Sequence, residues 1–441
     1  MVSVICSGFY RFSENTYNAT MMFMSHRTSS MRRTLATVFS VVFLDQLGTG
    51  IVIPVLAPLL FSTSTHLFTG AFDLASRARI IGFLIAAYPL AQFFGAPLLG
   101  ALSDRFGRKP VLLLSLVGTA VGWVIFGLGI AWGSLAMLFA ARVLAGFTGG
   151  NISIANSAIA DASEEGEKVH NFGIVNAAYG LGLILGPYTG GKLSDPAILS
   201  WFTASTPFWV AAAVTVVNIF MVAFVFRETL TERLHQPISL LTGVRNVKRA
   251  FTLPNARSIM LVVFMLWFGF NSFVQFFQVY LIEYFGATQA AIGRLFAYVG
   301  IWLAVSMVVL NRPVARRFSA RHILAFALPG VALALYFQLL PRELWMYYTV
   351  LPFLAIAMGF TMPSITAVVS GIADKSSQGE IIGIQHSMQA LALVIPPIIA
   401  GFLVSFHVSL PVIVASLFVF MSWLVYLLWF QRSSQEIFHE V

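Results

Sequence analysis

The residues able to do chemistry are few, and most lie inside or beside long apolar runs. Gly100-Ala-Leu-Ser-Asp104-Arg105-Phe-Gly107-Arg108-Lys109-Pro110 is a compact charged turn between two such runs. Asp104 precedes Arg108 at ion-pair spacing if the turn is helical. Arg105, Arg108 and Lys109 orient a membrane hairpin, but a carboxylate contributes nothing to orientation. Gly100 and Gly107 permit close backbone approach there. Asp45 lies about ten residues into the first apolar run, ~15 Å along a helix, near the middle of a core about 30 Å thick. An ionised carboxylate at that depth costs about 2.5–3.5 kcal/mol even on the mildest scale. Protonation relieves that cost, so Asp45 suits either a proton carrier or a structural acid held by an ion pair or by backbone donors. Arg142 lies inside the fourth run. An arginine does not lose its proton in a protein, so Arg142 is no carrier. It is left to support the Asp45 region electrostatically, to bind an anionic group, or to join a polar network.

Composition says what must position these groups. Of 441 residues, 58% are hydrophobic and 10% charged, with mean hydropathy +0.85, against roughly 25% charged residues in a soluble domain. The expected fold is an all-α integral membrane protein. Apolar segments fall near 35–61, 80–101, 110–131, 134–160, 170–191 and 205–226, then near 257–283, 290–311, 321–339, 345–370, 381–404 and 409–430. That makes twelve transmembrane helices between a tail at 1–34 and a tail at 431–441, with a polar linker at 227–256. Of the 26 Lys and Arg, 20 fall in segments on the side of the two tails, five on the other side and one, Arg142, within a helix. This bias places both termini in the cytoplasm. It also accounts for the net charge of +9 without nucleic acid as a partner. Cys6 is the only cysteine, so no disulfide framework or cysteine metal site is expected.

The halves read as copies. Gly146–Asp161 and Gly359–Asp374 share eight of sixteen residues at an offset of 213. Arg105-Phe106 matches Arg317-Phe318 at 212, and Pro187 and Gly191 match Pro397 and Gly401 at 210. The expected architecture is therefore two pseudo-symmetric six-helix bundles, which suits a transporter with its site between the repeats. No copy of Asp45 or Arg142 is evident; Arg142 maps onto Ala355.

These residues carry a family resemblance. The Gly100–Pro110 hairpin resembles the signature of the major facilitator superfamily, and Ala141-Arg142-Val-Leu-Ala-Gly146 resembles its fourth-helix arginine motif. Gly182-Leu-Ile-Leu-Gly186-Pro187-Tyr-Thr-Gly190-Gly191 resembles the glycine-proline signature of its proton-coupled exporters. Leu44–Pro54 and Phe226-Arg227-Glu228-Thr229 look like the twelve-helix drug:proton antiporters, tetracycline efflux proteins especially. The resemblance implies efflux of a small amphipathic compound by alternating access, driven by a proton gradient and needing no cofactor. It further implies a monomer in the bacterial inner membrane. It also implies that Asp104, Arg108 and Asp161 form a cluster latching the outward-facing state, and that the glycine-proline helix packs on the opposite half. Tetracycline exporters carry acids on helices three and nine and a histidine on helix eight. The matching stretches Gly118–Trp123, Phe326–Val331 and Gly300–Val305 hold no ionisable group, so the resemblance extends to the export architecture and not to those groups.

Sparse amides among aromatics form the candidate substrate pocket: Gln92, Asn176, Tyr179, Asn271, Gln275, Gln278, Gln385 and Gln389. Export of an endogenous metabolite or siderophore, or nutrient import, fits the same architecture. A membrane enzyme is disfavoured, because no span pairs His with Asp or Cys with His. His386 has no second His or Cys beside it, so no metal site is expected.

Overall fold

The computed structural model describes residues 33–52, 54–56, 73–163, 168–230, 241–253, 256–371 and 378–430. Most of the first tail, the last tail and the centre of the linker lie outside the described residues. The helices are α1 (Arg33–Leu56), α2 (Leu74–Phe106), α3 (Arg108–Ala131), α4 (Leu135–Ala162), α5 (Lys168–Leu193) and α6 (Thr206–Phe224). The linker holds α7 (Thr242–Thr252). The second half follows with α8 (Arg257–Phe285), α9 (Gln289–Ala315), α10 (Ala320–Phe337), α11 (Tyr347–Ser370), α12 (Gln378–Val404) and α13 (Leu410–Phe430). Eleven of these are long and apolar enough to cross a membrane. With α5, whose 26 residues include the glycine-proline run, they make twelve spans.

Two helices depart from the sequence expectation. Helix α2 starts at Leu74 rather than near 80, because Asp73 caps it by accepting from Ser76 N at 3.0 Å. The linker is not wholly irregular, since α7 lays Gly243 against the Phe93 ring of α2, and its Asn246 donates to Ser387 of α12 at 3.1 Å.

Each half has its own apolar core: Val38, Leu112, Ile154 and Val222 lie in one, Ile259, Leu328, Leu354 and Val419 in the other. A third cluster joins α1, α2 and α3 to Phe276, Val279, Ala400 and Val404 of the second half. This cluster lies on the membrane face opposite the Arg108 turn, and there the halves touch backbone to backbone. A Cβ on Gly191 would stand 2.6 Å from the carbonyl of Gln289, and one on Gly401 would stand 2.7 Å from that of Ala78. Gly293 faces the Pro187 carbonyl as Gly82 faces that of Pro397. The two crossings are equivalent under the repeat offsets of 210 and 211, so the pseudo-symmetry read from sequence is present in the contacts. Nearer the Arg108 face the α5 crossing loosens. Gly180 lies on the same side of α5 as Ile184, Pro187 and Gly191, yet nothing stands within 4 Å of it.

Prolines inside spans free carbonyls that water cannot reach, and at Pro329 and Pro352 a neighbouring side chain supplies the missing donor. The residue four before Pro329 is Ala325, whose carbonyl accepts from Trp423 Nε1 at 2.9 Å. The residue four before Pro352 is Tyr348, whose carbonyl accepts from the Tyr298 hydroxyl at 3.0 Å.

Candidate functional site

Asp45 is buried in α1. One carboxylate oxygen accepts from Asn151 Nδ2 at 2.9 Å and the other from Gln46 Nε2 at 3.2 Å. Asn151 reaches it because α4 is broken: a first segment ends at Thr148 and a second, Asn151–Ala162, begins after Gly149-Gly150. The carbonyls freed at the break are taken by Ser115, which donates to Thr148, and by Gln92, which donates to Gly149 at 2.7 Å. The second segment places its N-terminal end, with its partial positive charge, toward the Asp45 region. Among the described residues no cation pairs with Asp45. Of the two supports expected for a structural acid, an ion pair and backbone donors, neither is found among the described residues; side-chain amides take their place.

Arg142 is buried but does not pair with Asp45. Its guanidinium donates to the carbonyl of Leu84 at 3.3 Å and to that of Ile85 at 3.2 Å, and lies 4.8 Å from the centre of the Tyr88 ring. Ile85 is four residues before Pro89, so its carbonyl has no helical donor. Arg142 supplies one, and of the three roles open to it the contacts favour the polar network. That network runs on through Tyr88, whose hydroxyl meets Thr49, and Thr49 donates to the Asp45 carbonyl at 3.1 Å.

At the charged turn Arg108 is buried and gathers three oxygens: Asp104 at 2.5 Å, Ser103 at 2.7 Å and Asp161 at 2.9 Å. The cluster ties α2, α3 and α4 together and lies wholly within the first half. It is complete here, where the halves touch on the opposite face. Gly107 takes φ 109°, a value that disfavours a side chain, and a Cβ there would also meet Glu228 at 2.6 Å. Gly100 is looser, with only Ser153 Oγ near at 3.5 Å, and Arg105 is exposed over Phe106. Glu228 caps α3 by accepting from Arg108 N at 2.9 Å and Lys109 N at 3.1 Å. Glu228→Ala should therefore lower stability by about 0.5–2 kcal/mol, read as a lower melting temperature, with Glu228→Gln losing less.

On α5 the glycine-proline run serves two neighbours. Gly182, Gly186 and Gly190 lie against the α1 carbonyls of Phe43, Leu47 and Ile51, at 2.5 to 2.6 Å from where a Cβ would stand. Pro187 and Gly191 face α9 of the other half.

The candidate pocket residues divide. Gln92 is committed to the α4 break. Asn271 is buried and donates to Ala392 at 3.3 Å, another carbonyl freed by a proline, here Pro396. Gln278 and Gln385 are buried, and each keeps an unpartnered carbonyl oxygen, as does Gln275; Trp267 on the same helix keeps an unpartnered N–H. Tyr179 is exposed, Gln389 half-buried, and the Asn176 side chain lies outside what is described.

Residues 38–335 and 259–437 match the Major Facilitator Superfamily profile. The chain belongs to that superfamily. Among Escherichia coli proteins, the class E tetracycline resistance protein is 30% identical over 85% of this chain and 89% of its own length. Multidrug resistance protein 2 of Bacillus subtilis (strain 168) is 25% identical over 86% and 90%. The crystal structure of the human organic anion transporter MFSD10 shares the fold at TM-score 0.66 and 22% identity, covering 90% of this chain and 99% of its own. A D-xylose-proton symporter shares it at TM-score 0.69 and 16% identity, covering 90% and 96%.

As a superfamily member the chain is a multi-pass membrane transporter and not an enzyme. Sequence reasoning missed Asn151, Tyr88 and Glu228 as parts of the site. Gly149-Gly150 beside Asn151 was the available signal for the first, since paired glycines interrupt a helix. Pro89 was the signal for Arg142's partner.

Proposed function

We propose that this transporter exports small amphipathic organic compounds in exchange for protons, with residues 35–226 and 257–430 rocking about the contacts they share. The observation that carries this reading is Asp45: a buried carboxylate at mid-span, held by Asn151 and Gln46 and, among the described residues, bound to no cation. A carboxylate with amide partners can be protonated without stranding a buried positive charge, whereas one locked to an arginine cannot. The break in α4 gives the site a segment able to shift as Asp45 changes charge. The relatives named for tetracycline and multidrug resistance support an organic substrate. A metal-chelated tetracycline fits this reading poorly, because Gly118–Trp123, Gly300–Val305 and Phe326–Val331 hold no ionisable group.

The positive-inside rule puts the Arg108 face and both tails in the cytoplasm, in a bacterial inner membrane. On this reading the halves, joined on the opposite face, open toward the cytoplasm. The Asp104–Arg108–Asp161 brace forms part of the surface that the second half meets on closing, which is how it would hold the outward-facing state. Energy comes from the proton gradient, no cofactor is required, and a monomer suffices. Cells producing the protein should accumulate less of at least one compound in a panel of amphipathic dyes and antibiotics, and a protonophore should restore accumulation. Equal accumulation of every compound with and without the protein would remove the efflux reading.

A further inference from the structure

The second copy of the charged turn differs from the first in a way that suggests a ligand. In the first half Arg108 is neutralised by Asp104 and Asp161. In the second, Arg316 replaces Asp104, Asp374 (the match of Asp161) lies outside the described residues, and Arg312, Arg316, Arg317 and Arg321 crowd the end of α9 and the start of α10. All four are exposed, and among the described residues no carboxylate pairs with any of them. Four cations so close together repel one another unless an anion joins them.

The packing beside that turn differs as well. In the first half Gly118 of α3 is closed off by the Thr148 side chain of α4. The equivalent glycine at the offset of 212 is Gly330 of α10, where a Cβ would meet only Ala357, at 3.7 Å. Between α10 and α11 this leaves an apolar groove of about 580 Å³ on the outside of the bundle. Phe318 and His322 stand at its mouth, Phe326 and Gly330 along α10, and Phe353 and Phe360 along α11. Phe326 is 79% exposed and Phe353 63%. From His322 to Phe337 the groove follows α10 for about 22 Å, more than half of a hydrocarbon core of roughly 30 Å. Its mouth opens beside the arginine turn.

The geometry points to a binding site for an anionic phospholipid of the surrounding bilayer, on the same membrane face as the Arg108 turn. The headgroup phosphate lies on Arg316 and Arg317, and one acyl chain fills the groove between α10 and α11. Charge complementarity selects the headgroup, and the depth and apolar lining select a chain over a soluble anion. In the first half the turn is neutralised and the equivalent crossing packed.

The test is native mass spectrometry of the full-length protein, purified in detergent and mixed with equal amounts of phosphatidylglycerol and phosphatidylcholine of the same chains. Two arginines at a surface favour the anionic lipid by about 10- to 30-fold, and that excess is expected for the wild type. Arg316→Gln/Arg317→Gln should bring the ratio close to one. Gly330→Leu, which fills the groove without meeting backbone, should lower retention of phosphatidylglycerol at least about fivefold while leaving the arginines in place. Equal retention of both lipids by the wild type overturns the site without any variant. A preference that survives the double substitution, or retention unchanged by Gly330→Leu, also overturns it and leaves the arginines as orientation signals alone.

Discussion

Gly191→Leu and Gly401→Leu should each cut export by at least about tenfold while leaving the protein folded. Each glycine brings its helix within a carbonyl's reach of the other half, at Gln289 and Ala78, with 2.6 and 2.7 Å available to a Cβ. Both neighbours are backbone, so neither can swing aside. Overpacking costs about 1–3 kcal/mol, and here it falls only on the state in which this face is closed. That is a bias of roughly 5- to 150-fold against one state of a cycle that needs both. Each half keeps its own core, so melting should change little. Cys6 is the sole cysteine, so Gly180→Cys in a Cys6→Ser background gives a single reporter in the open part of the crossing. In the leucine variants an impermeant maleimide should label it faster from the side opposite the Arg108 turn. Unchanged export and labelling would show that this contact does not gate the cycle.

Arg142→Ala should cost about 1–3 kcal/mol, the penalty for leaving a buried acceptor bare, and the loss should depend on Pro89. In the wild type Pro89 removes the donor for the Ile85 carbonyl, and Arg142 replaces it at 3.2 Å. Pro89→Ala restores an N–H four residues after Ile85. Arg142→Ala should therefore be markedly milder in the Pro89→Ala background, with a coupling of about 0.5–3 kcal/mol in a double-mutant cycle of melting free energies. Additive costs would mean that Arg142 acts elsewhere, on a substrate anion or on Asp45. Arg142→Lys keeps the charge but loses the planar fork that reaches two carbonyls at once, so it should recover only part of the stability.

The sequence was most legible where length and charge decide. Apolar runs located the twelve spans, and the near-constant repeat offset anticipated the paired crossings at Gly191 and Gly401. The charged turn was readable too, because Asp104 and Arg108 are close in the chain and Asp161 ends the copied segment. Contacts between distant helices were harder. Arg142 could be placed in the membrane, but its partner depended on which carbonyl Pro89 frees and which helix passes by it. Asn271 looked like a pocket residue because it is polar in a span, yet its amide serves Ala392, orphaned by Pro396. Asn151 looked ordinary until the break at Gly149-Gly150 turned it toward Asp45.

The most direct test of Asp45 as proton carrier is substrate-driven proton movement in liposomes loaded with a pH-sensitive dye, comparing wild type with Asp45→Asn. Asparagine keeps the size and accepts from one of the two amides, Asn151 or Gln46, but cannot carry a proton. The account predicts that a compound exported by the wild type moves protons across the membrane. It predicts that Asp45→Asn abolishes this movement while still binding the compound. Proton movement of wild-type size in Asp45→Asn would contradict it and pass the role to another group, such as the exposed Glu283.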